Sequence, residues 1–291
     1  MNATRPYGLF ARTTSALVLL ASLALVGCES ETKSERALSA LHEGGDVERI
    51  RALVKENFEK HVEAVQKVAN RLTPLFQSET PPSEEQLRSA LAATTKPPEV
   101  IQALVFSPVD LMVVLDTDGA VLARDRDTDG NRFFEGRNLF EESPELRAAF
   151  ERGKPTHVVG KLGRGEKAVP YIYFVAPIQR DGEAVAAAVI GYGLWKEGNR
   201  ITLQMRREAE QGKERVLVIW AFAYLGDEFY KLPNSPLEVE DVIPDAATRR
   251  ADLAKNPNGY VTNARILKRD VAIAVIPFPE IAEDFGIIYL R

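Results

Sequence analysis

Leu111-Met-Val-Val-Leu-Asp-Thr-Asp-Gly-Ala-Val-Leu122 is the stretch on which the fold turns. Five apolar residues are followed by Asp116-Thr-Asp-Gly119, whose side chains and glycine favour a reversal, and then by a second apolar run. The pattern predicts a hairpin, with strands over 111–115 and 120–124. Downstream, a polar loop leads to a short helix over Pro144–Arg152, stopped by Gly153 and Pro155. Three more strands are expected over 156–162, 169–178 and 183–192, separated by Gly163-Arg164-Gly165 and Asp181-Gly182. The order β-β-α-β-β-β suits a five-stranded antiparallel sheet with a helix on one side, an α+β lobe with a concave face.

The order recurs, more raggedly, towards the C-terminus. A helix over 197–211 precedes strands over 215–221 and 223–230, a proline-rich loop, a helix over 246–255, and strands over 260–267, 270–276 and 285–290. Tyr173-Phe-Val-Ala-Pro-Ile178 has a counterpart in Ile273-Ala-Val-Ile-Pro-Phe278, each with proline near the end of an apolar strand. Two similar lobes fit the 291 residues better than one oversized domain.

On the N-terminal side, Val47, Ile50, Val54, Phe58, Val62, Val65, Ala69 and Leu72 recur at steps of three and four. They form one stripe along about seven helical turns. Such a stripe serves either as a stalk or dimerisation face or as a surface packed on the protein's own sheets. Pro74 and Pro81-Pro82 end the helix, and Pro97-Pro98 precede a short helical piece over 99–106.

The first 28 residues run from a basic start (Arg5, Arg12) through an apolar segment, Ala16–Val26, to Leu25-Val26-Gly27-Cys28. Charge, then apolar run, then small residues is the order of an export signal, and a run of 11 residues is too short to span a bilayer. The last four residues resemble the bacterial lipobox, and Cys28 is the single cysteine of the chain. That resemblance implies a lipid on the Cys28 thiol, cleavage before it and attachment to a membrane facing the periplasm or exterior. Glu29, where enterobacterial sorting uses Asp for inner-membrane retention, leans towards the outer membrane. The expected division is a signal peptide over 1–27, a lipidated tether over 28–36, a helical region over 37–104, and lobes over 105–195 and 196–291.

Composition narrows the function. The formal charge is −5, and removing residues 1–27 takes away two arginines and no acid, leaving 35 basic against 42 acidic side chains. Nucleic acid is therefore not an expected partner. No internal disulfide can form, and His42, His61 and His157 lie far apart, so no short-spaced transition-metal motif is present. No Ser, Thr or Cys stands in a recognised nucleophile context, and an enzyme is not expected. Gly160-Lys-Leu-Gly-Arg-Gly165 precedes a strand where a phosphate loop would precede a helix, so it reads as a turn.

The hairpin of residues 111–122 resembles the Cache domain, the PAS-like extracytoplasmic sensor module. So do Glu135-Gly-Arg-Asn-Leu139, Pro144–Gly153, Tyr171–Pro177, Gly182 and Val189-Ile-Gly-Tyr192. With the long helix before and the second lobe after, the whole is similar to a double-Cache arrangement. The resemblance implies a pocket in the first lobe lined by Tyr171, Tyr173 and Tyr192, with Arg132 and Arg137 in the covering loop. An arginine fork there would favour a carboxylate ligand. Alternatively, the tyrosines pack the sheet and the arginines face water. No second membrane segment or cytoplasmic module follows, so action through an envelope or membrane protein partner is expected, as a metabolite sensor or as a ligand-free adaptor.

Asp125-Arg-Asp-Thr-Asp-Gly130 copies the first half of an EF-hand loop, with Asp125, Asp127 and Asp129 at alternate positions. The twelfth position is Gly136, with Glu135 one place early. Calcium is the one cofactor these residues suggest; a solvated acidic turn is the other reading.

Overall fold

The computed structural model describes residue 41 and residues 45–96, 100–128, 136–163, 165, 168–212, 218–266 and 268–291. Cys28, Asp129 and Arg132 lie outside this set, as do the export signal and the tether.

Helix α1 (Asp46–Leu72) starts after Gly45 at φ 70, with Asp46 and Glu48 in its first turn, where carboxylates oppose the helix dipole. Its buried residues are Asp46, Ile50, Val54, Asn57, Phe58, His61, Ala64, Val65, Val68, Ala69 and Leu72. Three of them, Asp46, Asn57 and His61, are polar, and Val62 is only half-buried. A 3-10 turn over Thr73–Phe76 absorbs Pro74. Helix α2 (Glu84–Ala92) falls within the expected helical region but was not delimited there, although its N-terminal box is written in the chain: Ser83 accepts from the Gln86 backbone while the Gln86 side chain accepts from the Ser83 backbone. Helix α3 (Gln102–Phe106) follows.

The first sheet consists of β1 (Leu111–Leu115), β2 (Val121–Arg124), β3 (Thr156–Leu162), β4 (Val169–Arg180) and β5 (Glu183–Gly193), with α4 (Leu139–Glu142) and α5 (Pro144–Glu151) between β2 and β3. Its order is β2-β1-β5-β4-β3, antiparallel throughout. Helix α6 (Trp195–Gln211) leads to a second sheet of β6 (Trp220–Leu225), β7 (Glu228–Tyr230), β8 (Tyr260–Ile266), β9 (Arg269–Pro277) and β10 (Phe285–Leu290). Its order, β7-β6-β10-β9-β8, repeats that of the first, and α7 (Leu237–Glu240) and α8 (Ala246–Lys255) occupy the place of α4 and α5. The architecture is α+β, a long N-terminal helix with two five-stranded sheets. Most boundaries shift by a residue or two, but one turn is misplaced outright: β6 runs straight through Phe222, and the hairpin reverses at Gly226-Asp227, where Gly226 has φ 59. Phe222 is fully buried in the strand, whereas glycine supplies the backbone that the turn requires.

Strand alternation divides each sheet into two faces. Met112, Val114, Ile172, Phe174, Ala176, Ala188 and Ile190 of the first sheet form one core with α1, shared by Ala221, Ala223, Ala274, Ile276, Phe285 and Ile287 of the second. Helix α1 therefore packs on both sheets, and Phe58 touches Phe174 and Phe285 at once (ring centroids 5.5 and 6.3 Å). The outer faces carry separate cores under α4 and α5 and under α7 and α8.

Candidate functional site

The outer face of the first sheet carries Tyr171 and Tyr173, two apart on β4 and stacked at 5.8 Å. Leu111, Val113, Val175, Ala187 and Val189 surround them, and Leu139, Phe140, Leu146 and Phe150 close over them from α4 and α5. The cover is held by local chemistry. Asn138 caps α4 by accepting from the Phe140 and Glu141 backbones, and its amide donates to the Asp118 carbonyl at 2.9 Å. A Cβ at Gly119 would lie 2.4 Å from the Phe140 ring, so the glycine of the hairpin turn is what lets Phe140 seat.

The polar groups on this face are engaged from within. The Tyr173 hydroxyl donates to the Lys161 carbonyl at 3.0 Å, and burial raises its pKa. Arg137 donates through Nε to Glu142 Oε1 at 2.7 Å and through Nη2 to Oε2 of the same carboxylate. Glu142 Oε2 also accepts from the Gly163 backbone at 3.2 Å. Of the expected pocket residues, Tyr171, Tyr173 and Arg137 are thus assembled around one sheet face and its cover.

Tyr192 is not part of that face. It pairs with Ile172 across β4 and β5, and that register turns it to the opposite side, under α1. A one-residue parity decides the side of a sheet, and Tyr171 and Tyr173 have the other parity. Under α1 Tyr192 joins a buried polar cluster. Its hydroxyl donates to Glu197 Oε2 at 2.8 Å, Asn57 Nδ2 donates to the same oxygen at 2.8 Å, and Arg200 Nη1 does so at 3.2 Å while its guanidinium lies over the tyrosine ring. Burial raises the pKa of Glu197 against the opposing pull of Arg200. His61 stacks on Phe174, with Nδ1 2.8 Å from the Asn57 carbonyl and Nε2 3.2 Å from that of Ser107. Sequence reasoning missed this cluster. Its signals were two polar residues, Asn57 and His61, on the apolar stripe of α1, and an i,i+3 acid–base pair on α6.

Of the acidic turn, Asp125 and Asp127 are among the described residues. Asp125 is buried and accepts from the Thr128 hydroxyl, and Asp127 pairs with Lys96. Among the described residues no group of three or more acidic, histidine or cysteine side chains is placed to hold a metal ion. Among them, too, no helix is long and apolar enough to cross a membrane.

No protein-family model and no curated protein matches the chain. Solved structures do. The sensory domain of the Campylobacter jejuni chemoreceptor Tlp3, with isoleucine bound, superposes with a TM-score of 0.54 at 10% identity, over 91% of this chain and 97% of that one. The ligand-binding domain of the Pseudomonas aeruginosa amino acid chemoreceptor PctB, in complex with L-Gln, gives 0.51 at 15% identity, over 87% and 89%. An extracellular ligand-binding receptor from Desulfohalobium retbaense gives 0.52 at 10% identity, over 84% of this chain but 39% of that one. Both chemoreceptor domains are covered nearly end to end, and at 91% and 87% of this chain the superpositions take in parts of both sheets. The chain therefore has a double-Cache-like α+β fold.

Proposed function

We propose that this protein is a lipid-anchored, extracytoplasmic sensor that binds a small metabolite in its first lobe and passes that state to an envelope or membrane partner. The observation that carries the reading is the convergence of Tyr171, Tyr173 and Arg137 between the first sheet and its α4–α5 cover, in a fold whose neighbours are named as ligand-binding domains. Arg137 holds a carboxylate already, that of Glu142, so a ligand carboxylate would take the place of an internal one. Arg132, from the covering loop, and calcium at Asp125, Asp127 and Asp129 belong to the same proposal. The anchor rests on Cys28 and the export-signal order before it, and Glu29 leans it to the outer membrane. The lobes are taken as 105–195 and 196–291.

A second reading, a ligand-free adaptor that uses the fold for protein contacts, is favoured by the filling of that same face. Leu139, Phe140 and Phe150 occupy it, and Tyr173 is committed to a backbone carbonyl.

Thermal unfolding of the chain from Glu29 onward, across amino acids, organic acids, purines and amines, with and without calcium, separates the two. A ligand at about one hundred times its Kd adds about 2.7 kcal/mol and raises the midpoint by several degrees. The sensor reading expects such a shift, abolished in Arg137→Ala when that variant is compared with its own baseline. A flat response throughout transfers the reading to the adaptor.

A further inference from the structure

Between α1, α3 and α6 lies a cleft of about 730 Å³, on the opposite side of the first sheet from Tyr171 and Tyr173. Its volume is in the range of small-molecule sites. Asn57, Ser107, Glu197 and Arg200 line one end of it.

Two groups at that end are incompletely used. Glu197 is 1% exposed, and its Oε2 accepts from Tyr192, Asn57 and Arg200, yet its buried Oε1 has no hydrogen-bond partner among the described residues. A buried acceptor without a donor is costly, so such oxygens are found where something else supplies one. Arg200 gives only Nη1 to the cluster, at 3.3 Å from the Tyr192 hydroxyl and 3.2 Å from Glu197. Its Nε and Nη2 make no hydrogen bond among the described residues, which leaves one edge of a planar fork suited to a carboxylate.

The walls are apolar where they meet solvent. Phe106, at the end of α3, is 83% exposed and Leu203, on α6, is 55% exposed, and both line the cleft with Ala103 and Ile201. Large exposed side chains beside convergent polar groups are a binding feature. Along the rim Arg49 is paired with Glu208 and Lys60 with Glu56, while Arg207 adds a further positive charge, so with Arg200 and Glu197 the surroundings are net basic by about one charge. That balance disfavours an ammonium as the donor for Glu197 Oε1 and favours a neutral hydroxyl.

The geometry points to a second small-molecule site in this cleft, for a small organic acid with a hydroxyl group beside its carboxylate and an apolar side group. The carboxylate meets the open edge of Arg200, the hydroxyl donates to Glu197 Oε1, and the apolar group lies on Phe106 and Leu203. The site shares no residue with the first-lobe face, so either can fail without the other.

The test is calorimetric titration of the detergent-solubilised full chain with phenyllactate, hydrocinnamate, which lacks the hydroxyl, and phenethyl alcohol, which lacks the carboxylate. Phenyllactate is expected to bind, hydrocinnamate to bind about tenfold more weakly, and phenethyl alcohol not to bind measurably. Phe106→Ala, at an exposed position, should weaken phenyllactate about tenfold with an unchanged melting curve, and Arg200→Lys should weaken it further. Arg137→Ala should leave it unaffected. No binding of phenyllactate, equal binding of hydrocinnamate, or binding that survives Phe106→Ala and disappears in Arg137→Ala would each overturn the assignment.

Discussion

His61 is completely buried, with each ring nitrogen facing a backbone carbonyl. A neutral imidazole carries one N–H, so it serves one carbonyl at a time. Burial first, and the charge of Arg200 second, lower its pKa from 6.5 to about 4. Protonation therefore favours the unfolded chain: the contribution is whole above about pH 6.5 and is lost as pH falls to about 4, on the order of 3 kcal/mol. His157 is lowered by burial too and adds in the same direction. Glu197, raised by burial, acts oppositely, since its contribution is complete below its ordinary range and is lost as pH rises through the folded value. Urea unfolding at about pH 7 and about pH 4.5 should show the parent losing stability on acidification and His61→Gln losing much less of it. Equal losses in the two chains would remove His61 from the account. At this scale the sequence was only partly legible. Tyr171 and Tyr173 share a face because period two is local, but the side on which Tyr192 falls depends on its register against Ile172, twenty residues away in the chain.

Helix α6 lies directly on the backbone of β6. A Cβ at Gly198 would stand 2.5 Å from the Ala221 carbonyl oxygen and 3.0 Å from the Ala223 nitrogen. One turn on, the Thr202 hydroxyl accepts from the Ala221 backbone at 2.8 Å and fixes the same crossing. Alanine is the better helix former by about 1 kcal/mol, but the contact it would make is with backbone, which cannot rotate away. Gly198→Ala should therefore lower stability by about 1–3 kcal/mol, read as a lower urea midpoint at unchanged slope. A midpoint equal to the parent's would mean that the helix lifts freely from the strand. Most elements could be read in advance because their signals are local: the stripe of α1, the Asp-Thr-Asp-Gly turn, the stops at Gly153 and Pro155. The close approach of α6 to β6 could not, because Gly198 inside a helical pattern shows nothing of what it faces.

Across the whole molecule, the repeated sheet order was visible in the order of elements, whereas the joining of both sheets by α1 was not, since one apolar stripe is compatible with several partners. The proposed lipid anchor belongs to this scale. Cys28→Ser should move the chain from the membrane pellet to the soluble fraction while leaving its unfolding midpoint unchanged. A variant that pellets as the parent does would exclude attachment through that thiol. The start of α1 is also tied to the end of the last strand: Asp46 Oδ2 accepts from the Tyr289 hydroxyl at 3.0 Å and from Arg291 Nη1 at 2.7 Å. The first residue of α1 and residue 291 are thus neighbours, so the path from 46 to 291 is close to a ring. A linker from Arg291 to a point ahead of Leu41, which is itself packed in the shared core, could close that path, and new ends could be opened at the Asp181-Gly182 turn, leaving both sheets and their register as they are; the fold is defined by its cycle of elements, whichever of them the ribosome makes first.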